Sequence, residues 1–585
     1  MFYRAILFLS IALIINSQSF TRVEVGAPVE DGGDSRAVNW IDYDNDGDLD
    51  LFITNGPSGG QNNFFYINNG DLTFTKVTDI AIVNDNSPSD GSTWGDINND
   101  GFLDLYVVNW YGVANRFYIN NGDGTFNEVT GQAINASNSY SETASWGDFD
   151  NDGLLDLYVS NSWGNGRNML FHNNNDNQFT RITTGSHVTD GFFTRDVDWI
   201  DINGDGLLDI YAVNESNQNN ALYINNGDGS FTKITDLNIV NDGKTSWSSN
   251  WIDYDNDGYF DLFLTNRNGS SNSLYRNNND GTFTQITEGD IVNDGGYSAG
   301  SDWGDVNNDG LIDLYVGNAF ANGAEADNFF YLNNGDGTFT KIENNVTEVG
   351  GWTYGVSFGD FNRDGYLDLA MAKCFGANEN NALFLNNGGD NNWVVINLEG
   401  VKSNRSGIGS VVRVRANING NHIWQARRVE GQNGYCGQNL EAHFGLGDAA
   451  SIDSVIVEWS GGEVQILTDV EINSVTIIKE EVTTSVGQSK NLEQVFELYQ
   501  NYPNPFNPST NIKFTIPNFG NDRFSSLRLV VYDVLGREIE TLVNGTKMPG
   551  TYEITFDASY LASGIYYYQL TADNLVQTKK MMVVK

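Results

Sequence analysis

Asp42-Tyr43-Asp44-Asn45-Asp46-Gly47-Asp48-Leu49-Asp50 is the phrase on which the chain is built. It recurs at 96–104, 148–156, 201–209, 253–261, 305–313 and 360–368, seven copies whose first aspartates stand 52 to 55 residues apart. Every copy has Asp at positions 1, 5 and 9, Gly at position 6, and Asp or Asn at position 3. Oxygen-bearing side chains at alternate positions, with Gly where the chain must turn sharply, are what a hard cation such as Ca2+ requires. The phrase reads as seven calcium loops.

The helix-flanked EF-hand loop opens in the same way but closes with a bidentate Glu at position 12. Position 12 is here Ile53, Val107, Val159, Ala212, Leu264, Val316 and Met371, so closure falls to the Asp at position 9. The flanks alternate and are rich in aromatic and β-branched residues, as in Leu103-Asp104-Leu105-Tyr106-Val107-Val108. They predict strands on both sides of each loop. An EF-hand is excluded.

A second phrase follows each loop, for example Asn115-Arg116-Phe117-Tyr118-Ile119-Asn120-Asn121-Gly122 running on to Phe126, about 30 residues after the loop's first aspartate. Strand, Asn/Gly/Asp turn and strand make a hairpin. One repeat is then four strands: A into the loop, B out of it, C through Phe-Tyr-Ile, and D through the Phe-Thr-Lys type of segment. Four strands every ~50 residues is the pattern of a propeller blade.

D segments start at Phe20, Phe74, Phe126, Phe179, Phe231, Phe283 and Phe339, the first ahead of any loop and none after the seventh hairpin. The expected fold is all-β: a seven-bladed propeller over 20–391, closed by its N-terminal strand, which removes the open edges. Trp40, Trp94, Trp146, Trp199, Trp251 and Trp303, with Phe358 in the last copy, stand two residues before the first aspartate and read as core between blades.

The composition fits an exported protein. Formal charge is −45, from 76 acids and 31 bases, and 24 of the acids stand at positions 1, 3, 5 and 9 of the loops. Seven Ca2+ would leave about −31, a poor surface for nucleic acid or an anionic membrane. Residues 1–19 read as a signal peptide, with Arg4, an apolar run over 5–15 and Ser17-Gln18-Ser19. No other stretch is long and apolar enough to span a bilayer. Cys374 and Cys436 are the only cysteines and could form a bridge or remain two buried thiols.

The repeats resemble the FG-GAP (VCBS-type) repeats of integrin α-chain propellers, whose loops hold Ca2+. That resemblance implies ligation by side chains at positions 1, 3, 5 and 9, with a main-chain carbonyl from position 7. The residues are Asp42, Asp44, Asp46 and Asp50; Asp96, Asn98, Asp100 and Asp104; Asp148, Asp150, Asp152 and Asp156; Asp201, Asn203, Asp205 and Asp209; Asp253, Asp255, Asp257 and Asp261; Asp305, Asn307, Asp309 and Asp313; and Asp360, Asn362, Asp364 and Asp368.

The period stops near Asn392. Residues 392–479, with Asn404-Arg405-Ser406-Gly407-Ile408-Gly409, Gln425-Ala426-Arg427-Arg428 and His443-Phe444-Gly445-Leu446-Gly447, read as a small β-domain. They resemble the ASPIC/UnbV module of cartilage-acidic-protein-like sequences. Arg405, Arg427 and Arg428 could pair with the acidic propeller or stay solvated. Residues 480–495 read as a linker, and 496–585 as an immunoglobulin-like sandwich opened by Asn501-Tyr502-Pro503-Asn504-Pro505-Phe506-Asn507-Pro508. This part resembles the type A sorting domain of type IX secretion. It implies handling by that machinery, removal of the domain, and release or surface attachment in a Bacteroidota-like Gram-negative bacterium.

Strand order puts the calcium loops on one rim and the variable B–C and D–A loops on the other. Trp110, Tyr111, Trp163, Phe192, Phe193 and Phe320 on that second rim are candidates for a stacking surface, or they fill the central channel or pack against a neighbouring domain. The favoured expectation is a calcium-stiffened recognition or adhesion module for extracellular glycans or proteins. The alternative is a polysaccharide lyase or hydrolase. Four scattered histidines, His172, His187, His422 and His443, offer no nucleophile arrangement. An acid–base pair on the variable rim would draw on Asp190, Asp242 and Asp294, each of which reads first as a turn residue.

Overall fold

A computed structural model describes residues 19–135, 139–164, 166–374, 378–435, 437–481, 497–516, 527–534, 537–545, 550–572 and 575–585. The expected signal peptide, the second cysteine and most of the expected linker lie outside these residues. The chain divides into two compact units, 1–482 and 483–585.

The first unit is dominated by a repeated four-stranded antiparallel sheet. In the second repeat the strands are Ser89–Gly95, Asp104–Asn109, Arg116–Asn120 and Phe126–Val129, in the order A, B, C, D. Strand A meets B with Trp94 opposite Leu105 and Gly95 opposite Asp104, so position 9 of the loop is also the first residue of strand B. A register shift between Ser89 and Ser92 bends strand A, and an equivalent shift recurs in every repeat. The last sheet takes its fourth strand from the start of the chain. Phe20–Arg22 lies beside Ala382–Asn386, with Phe20 opposite Asn386.

Aromatic rings join each sheet to the one before it. The Trp94 ring meets Phe52 at 5.3 Å, Trp199 stacks on Phe149 at 6.1 Å, and Trp40 of the first sheet stacks on Phe361 of the last at 5.5 Å. Indole N–H groups reach back to main-chain carbonyls: Trp199 to Ser145 at 3.1 Å, and Trp40 to Ser357 at 3.3 Å. Gly147 makes the fit possible. A Cβ there would lie 2.6 Å from the Trp199 ring. Truncating such a buried Trp to Ala removes about 3–5 kcal/mol.

The second part of this unit packs two sheets over Val394, Ile396, Val412, Val414, Phe444, Leu446 and Val457. One contains Ala442–Gly447, Asn392–Glu399 and Val475–Lys479, the other Asn421–Arg428, Val411–Ile418, Ile452–Glu458 and Val464–Leu467. Its strand Gly437–Asn439 leaves the module and pairs in parallel with Ser35–Ile41, adding a fifth strand to the first repeat's sheet.

The second unit is a two-sheet antiparallel sandwich around Phe506, Phe514, Leu529, Tyr568 and Met581. Among the described residues no helix is long and apolar enough to cross a membrane.

Candidate metal loops and the face opposite them

Each loop is wound around its own carboxylates. In the second, Asp96 Oδ1 accepts from the Asp100 N–H at 2.9 Å and Oδ2 from the Gly101 N–H at 2.6 Å. Asp100 Oδ1 accepts from the Phe102 N–H at 3.0 Å. Asp104 Oδ1 accepts from the Asn120 N–H at 2.8 Å, and the Asn120 amide donates on to Tyr43 O of the preceding repeat at 2.9 Å. The final Asn of strand C thus ties position 9 to the preceding repeat.

Where position 3 is Asp, three carboxylates converge with oxygen atoms within 4.8 Å of one another: Asp42, Asp44 and Asp46; Asp148, Asp150 and Asp156; and Asp253, Asp255 and Asp261. Asn98, Asn203, Asn307 and Asn362 hold position 3 in the other four loops. Asp50 Oδ2, Asp253 Oδ1 and Asp368 Oδ2 are buried with no donor. Burial first, with neighbouring carboxylates adding to it, pushes Asp50 up to about 8, Asp148 and Asp253 to about 7, and Asp261 to about 9. Desolvated oxygens without donors fit a hard divalent cation. Two loops also meet a nitrogen-bearing side chain from strand C: His172 Nε2 lies 2.9 Å from Asp150, and Arg276 Nε 3.0 Å from Asp255.

Position 4, outside the ligand set expected from the sequence, links neighbouring loops. Asn45, Asn99, Asn151, Asn256 and Asn308 adopt positive φ, and each donates its amide to the position-6 glycine carbonyl of the following loop. In the seventh loop Arg363 Nε does the same to Gly47 O of the first, at 2.7 Å. Gly204 in the fourth loop has no side chain to offer. The Gly258 carbonyl is instead met by Arg413 of the β-module at 3.0 Å.

The β-module lies over these loops. Arg405 N–H donates to Asn99 at 2.9 Å, and Arg363 forms paired 2.8 Å bonds with Glu441. His443 Nε2 lies 3.0 Å from Gly365 O. The three arginines singled out in the sequence meet different partners. Arg405 pairs with Glu399 at 2.9 Å and approaches Asp96 at 3.9 Å. Arg427 is buried beside Asp305 and Asp253, with its Nε on His443 O. Arg428 pairs with Glu430 at 3.0 Å and reaches Trp199 O.

Residues 431–435 and 437–439 then pass among the inner strands of the repeats. Gly431 O accepts from Thr93, Gln438 makes paired 2.8 Å bonds with the Trp94 main chain, and Asn433 donates to Asp302 at 2.6 Å. Gly434 O accepts from Ser301 N at 2.9 Å, and Tyr435 is fully buried with its hydroxyl 2.8 Å from that of Tyr354. The sequence carried no signal for this insertion beyond a run of small and amide residues.

At the opposite ends of the inner strands, Trp110, Tyr111 and Phe320 share the wall of one cavity of about 230 Å³ with Trp247, Arg36, Arg195 and Arg267. Trp163 is not among its walls; it stacks on Phe193 at 5.5 Å and is 55% exposed. Phe192 carries the Lys233 ammonium over its ring at 4.4 Å. The residues of the acid–base alternative are separated. Asp190 pairs with Lys233 and Tyr223, Asp294 with Lys341 and Tyr331, and Asp242 is buried without a hydrogen-bond donor.

Comparison with known families agrees with this architecture. The FG-GAP-like repeat matches at 42–107, 96–159, 160–212, 201–264, 253–316 and 319–371, more than half of the chain. The chain belongs to the FG-GAP-like repeat family. FG-GAP repeats commonly bind Ca2+. ASPIC and UnbV matches at 400–485, and the secretion system C-terminal sorting domain at 500–585. The sorting domain marks a secreted or surface protein handled by type IX machinery. Cartilage acidic protein 1 of Xenopus tropicalis is 28% identical over 282 residues, 46% of this chain and 42% of that protein. The chain thus spans less than half the length of that relative. Among solved structures, a mutant Aleuria aurantia lectin with alpha-methyl-L-fucoside gives a TM-score of 0.32 at 15% identity, covering 54% of this chain and 96% of that one. PorZ, a surface component of the type IX secretion system of Porphyromonas gingivalis, gives 0.26 at 12% identity, covering 94% and 81%.

Proposed function

We propose that this FG-GAP protein is an extracellular recognition module: a seven-bladed propeller closed by its N-terminal strand, stiffened by Ca2+ in its seven loops, that binds glycans or proteins through the face opposite them. Domain limits follow the sequence reading, with the propeller at 20–391, the β-module at 392–479 and the sorting domain at 496–585. Closure is supported by three links between the first and last repeats: the Phe20–Arg22 strand, the Trp40 indole and the Arg363 guanidinium.

One observation carries the choice of face. The β-module already lies over the calcium loops and sends residues 431–435 and 437–439 among the inner strands. The opposite face keeps a cavity with aromatic walls, and Tyr111 beside it is 47% exposed. Aromatic faces suit sugar rings or an apolar protein anchor.

The test is a screen of the calcium-loaded chain against glycans and extracts of its own cell surface, repeated with Trp110→Ala. Loss of one aromatic anchor removes ~2 kcal/mol, about thirtyfold in affinity. Trp110→Ala that binds as wild type would move the working face elsewhere.

A further inference from the structure

Three guanidiniums face the cavity of about 230 Å³, and they are not equivalent. Arg36 is matched by Asp34 at 3.1 Å. Arg195 lies between Glu142 at 2.7 Å and Glu215 at 2.9 Å. Arg267 forms no ion pair among the described residues. Its guanidinium carbon lies over aromatic rings, 3.9 Å from the Trp247 centroid and 5.0 Å from that of Phe320, and its Nε has no acceptor. The indole N–H groups of Trp110 and Trp247, on the same walls, have none either. In a chain with 76 acids against 31 bases, a half-buried arginine without an ion partner is conspicuous. Leaving such a charge without a partner costs stability unless something else supplies one.

Asp90, the remaining acid on the wall, does not fill that role. Burial, and then the nearby Glu142, raise it well above the usual carboxylate range against the opposing pull of Arg36 and Arg195, which weakens it as a counter-ion for Arg267. The cavity presents donors and aromatic faces and keeps its own carboxylates occupied. It is also small, below the ~300 Å³ at which drug-sized sites begin, so it suits one compact unit.

We infer that the cavity binds the carboxylate of an acidic sugar residue, a hexuronate within an extracellular polysaccharide, with Arg267 as its counter-ion. A saccharide is favoured over an acidic peptide by the aromatic platforms beyond the cavity. Tyr111 and the Trp163–Phe193 stack follow strands B or precede strands A, hence share this face, and expose broad rings on which successive pyranoses can lie. The inference rests on the recognition reading and sharpens its ligand.

The test is calorimetric titration of the calcium-loaded full chain with tetramers of galacturonate, glucuronate and mannuronate, each beside its carboxyl-reduced counterpart. At least one acidic tetramer is expected to bind tenfold or more tighter than its neutral form. Arg267→Gln is expected to abolish that preference, weakening acidic binding about ten- to hundredfold while neutral binding stays the same. The ligand-free variant should melt no lower than wild type, since it loses an unpaired charge. A structural role for Arg267 would lower the melting temperature and would overturn the inference. Equal affinity for acidic and reduced tetramers would overturn it while leaving recognition by this face intact. Binding of an acidic peptide with no saccharide binding would also overturn it, and a wild type that binds nothing through this face would remove the recognition reading itself.

Discussion

Arg363 joins three parts of the molecule, and its replacement tests how strongly they are held together. Its Nε donates to Gly47 O of the first loop at 2.7 Å, and its Nη1 makes two 2.8 Å bonds with Glu441 of the β-module. The pair is well shielded, with 18% of the Arg363 side chain and 7% of Glu441 exposed. Arg363→Ala strands a buried carboxylate, for which the expected cost is about 3–5 kcal/mol. Asn45→Ala at the same loop position removes one neutral bond, at 2.8 Å to Gly101 O, worth about 1 kcal/mol. Arg363→Asn should fall between them. Its amide can remake the bond to Gly47, and Asn tolerates the positive φ of 57° better than Arg. Chemical denaturation of the calcium-loaded chain, followed by tryptophan fluorescence, should therefore rank stability as Asn45→Ala, Arg363→Asn, Arg363→Ala, from least to most damaged. Adding Glu441→Gln to Arg363→Ala should recover part of the loss. An Arg363→Ala variant no weaker than Asn45→Ala would refute the joint between module and propeller.

Three further outcomes follow from the loops and the insertion. Loop carboxylates with raised pKa bind protons more tightly folded than unfolded, so metal-free stability should be greatest near pH 4 and fall as pH rises through about 6 to 9; a chelated protein whose melting temperature rises over that range would contradict this. Arg276→Gln frees Asp255 and Asp257 and should tighten calcium at the fifth loop several-fold, read by calorimetry as one site leaving the average. Gly434→Ala places a Cβ 1.7 Å from Ser301 O at a φ of 55°, so the inserted segment should come out and become open to limited proteolysis; a variant as resistant as wild type would count against its place between the strands.

Much of this was legible because the repeat was. Position 9 and the aromatic two residues before position 1 recur in every copy, and a pattern repeated seven times separates metal geometry and core from chance. The same repetition held a signal that the loop reading left aside. Asn at position 4 recurs in five copies outside the expected ligand set, because it bonds the next loop. Which acids Arg427 would meet, and where the run around Tyr435 would go, were unreadable for another reason. Each occurs once, and the Tyr435 hydroxyl has partners 81 and 293 residues away, so no local spacing reports the contact. The cavity mixes both cases. Trp110, Tyr111 and Phe320 stood out as aromatics on variable loops, whereas Arg267 and Trp247 sit in or beside strands whose neighbours are ordinary.

Calcium stoichiometry and its effect on melting test the account most directly. A ligand that binds only the folded chain at ten times its Kd adds about 1.4 kcal/mol per site, and seven such sites reach ~10 kcal/mol. The chain dialysed into millimolar calcium should carry close to seven Ca2+ by elemental analysis, and excess chelator should lower its melting temperature far more than an equal ionic strength of sodium chloride does. Fewer than one Ca2+ per chain, together with a melting curve that chelator leaves unchanged, would contradict it.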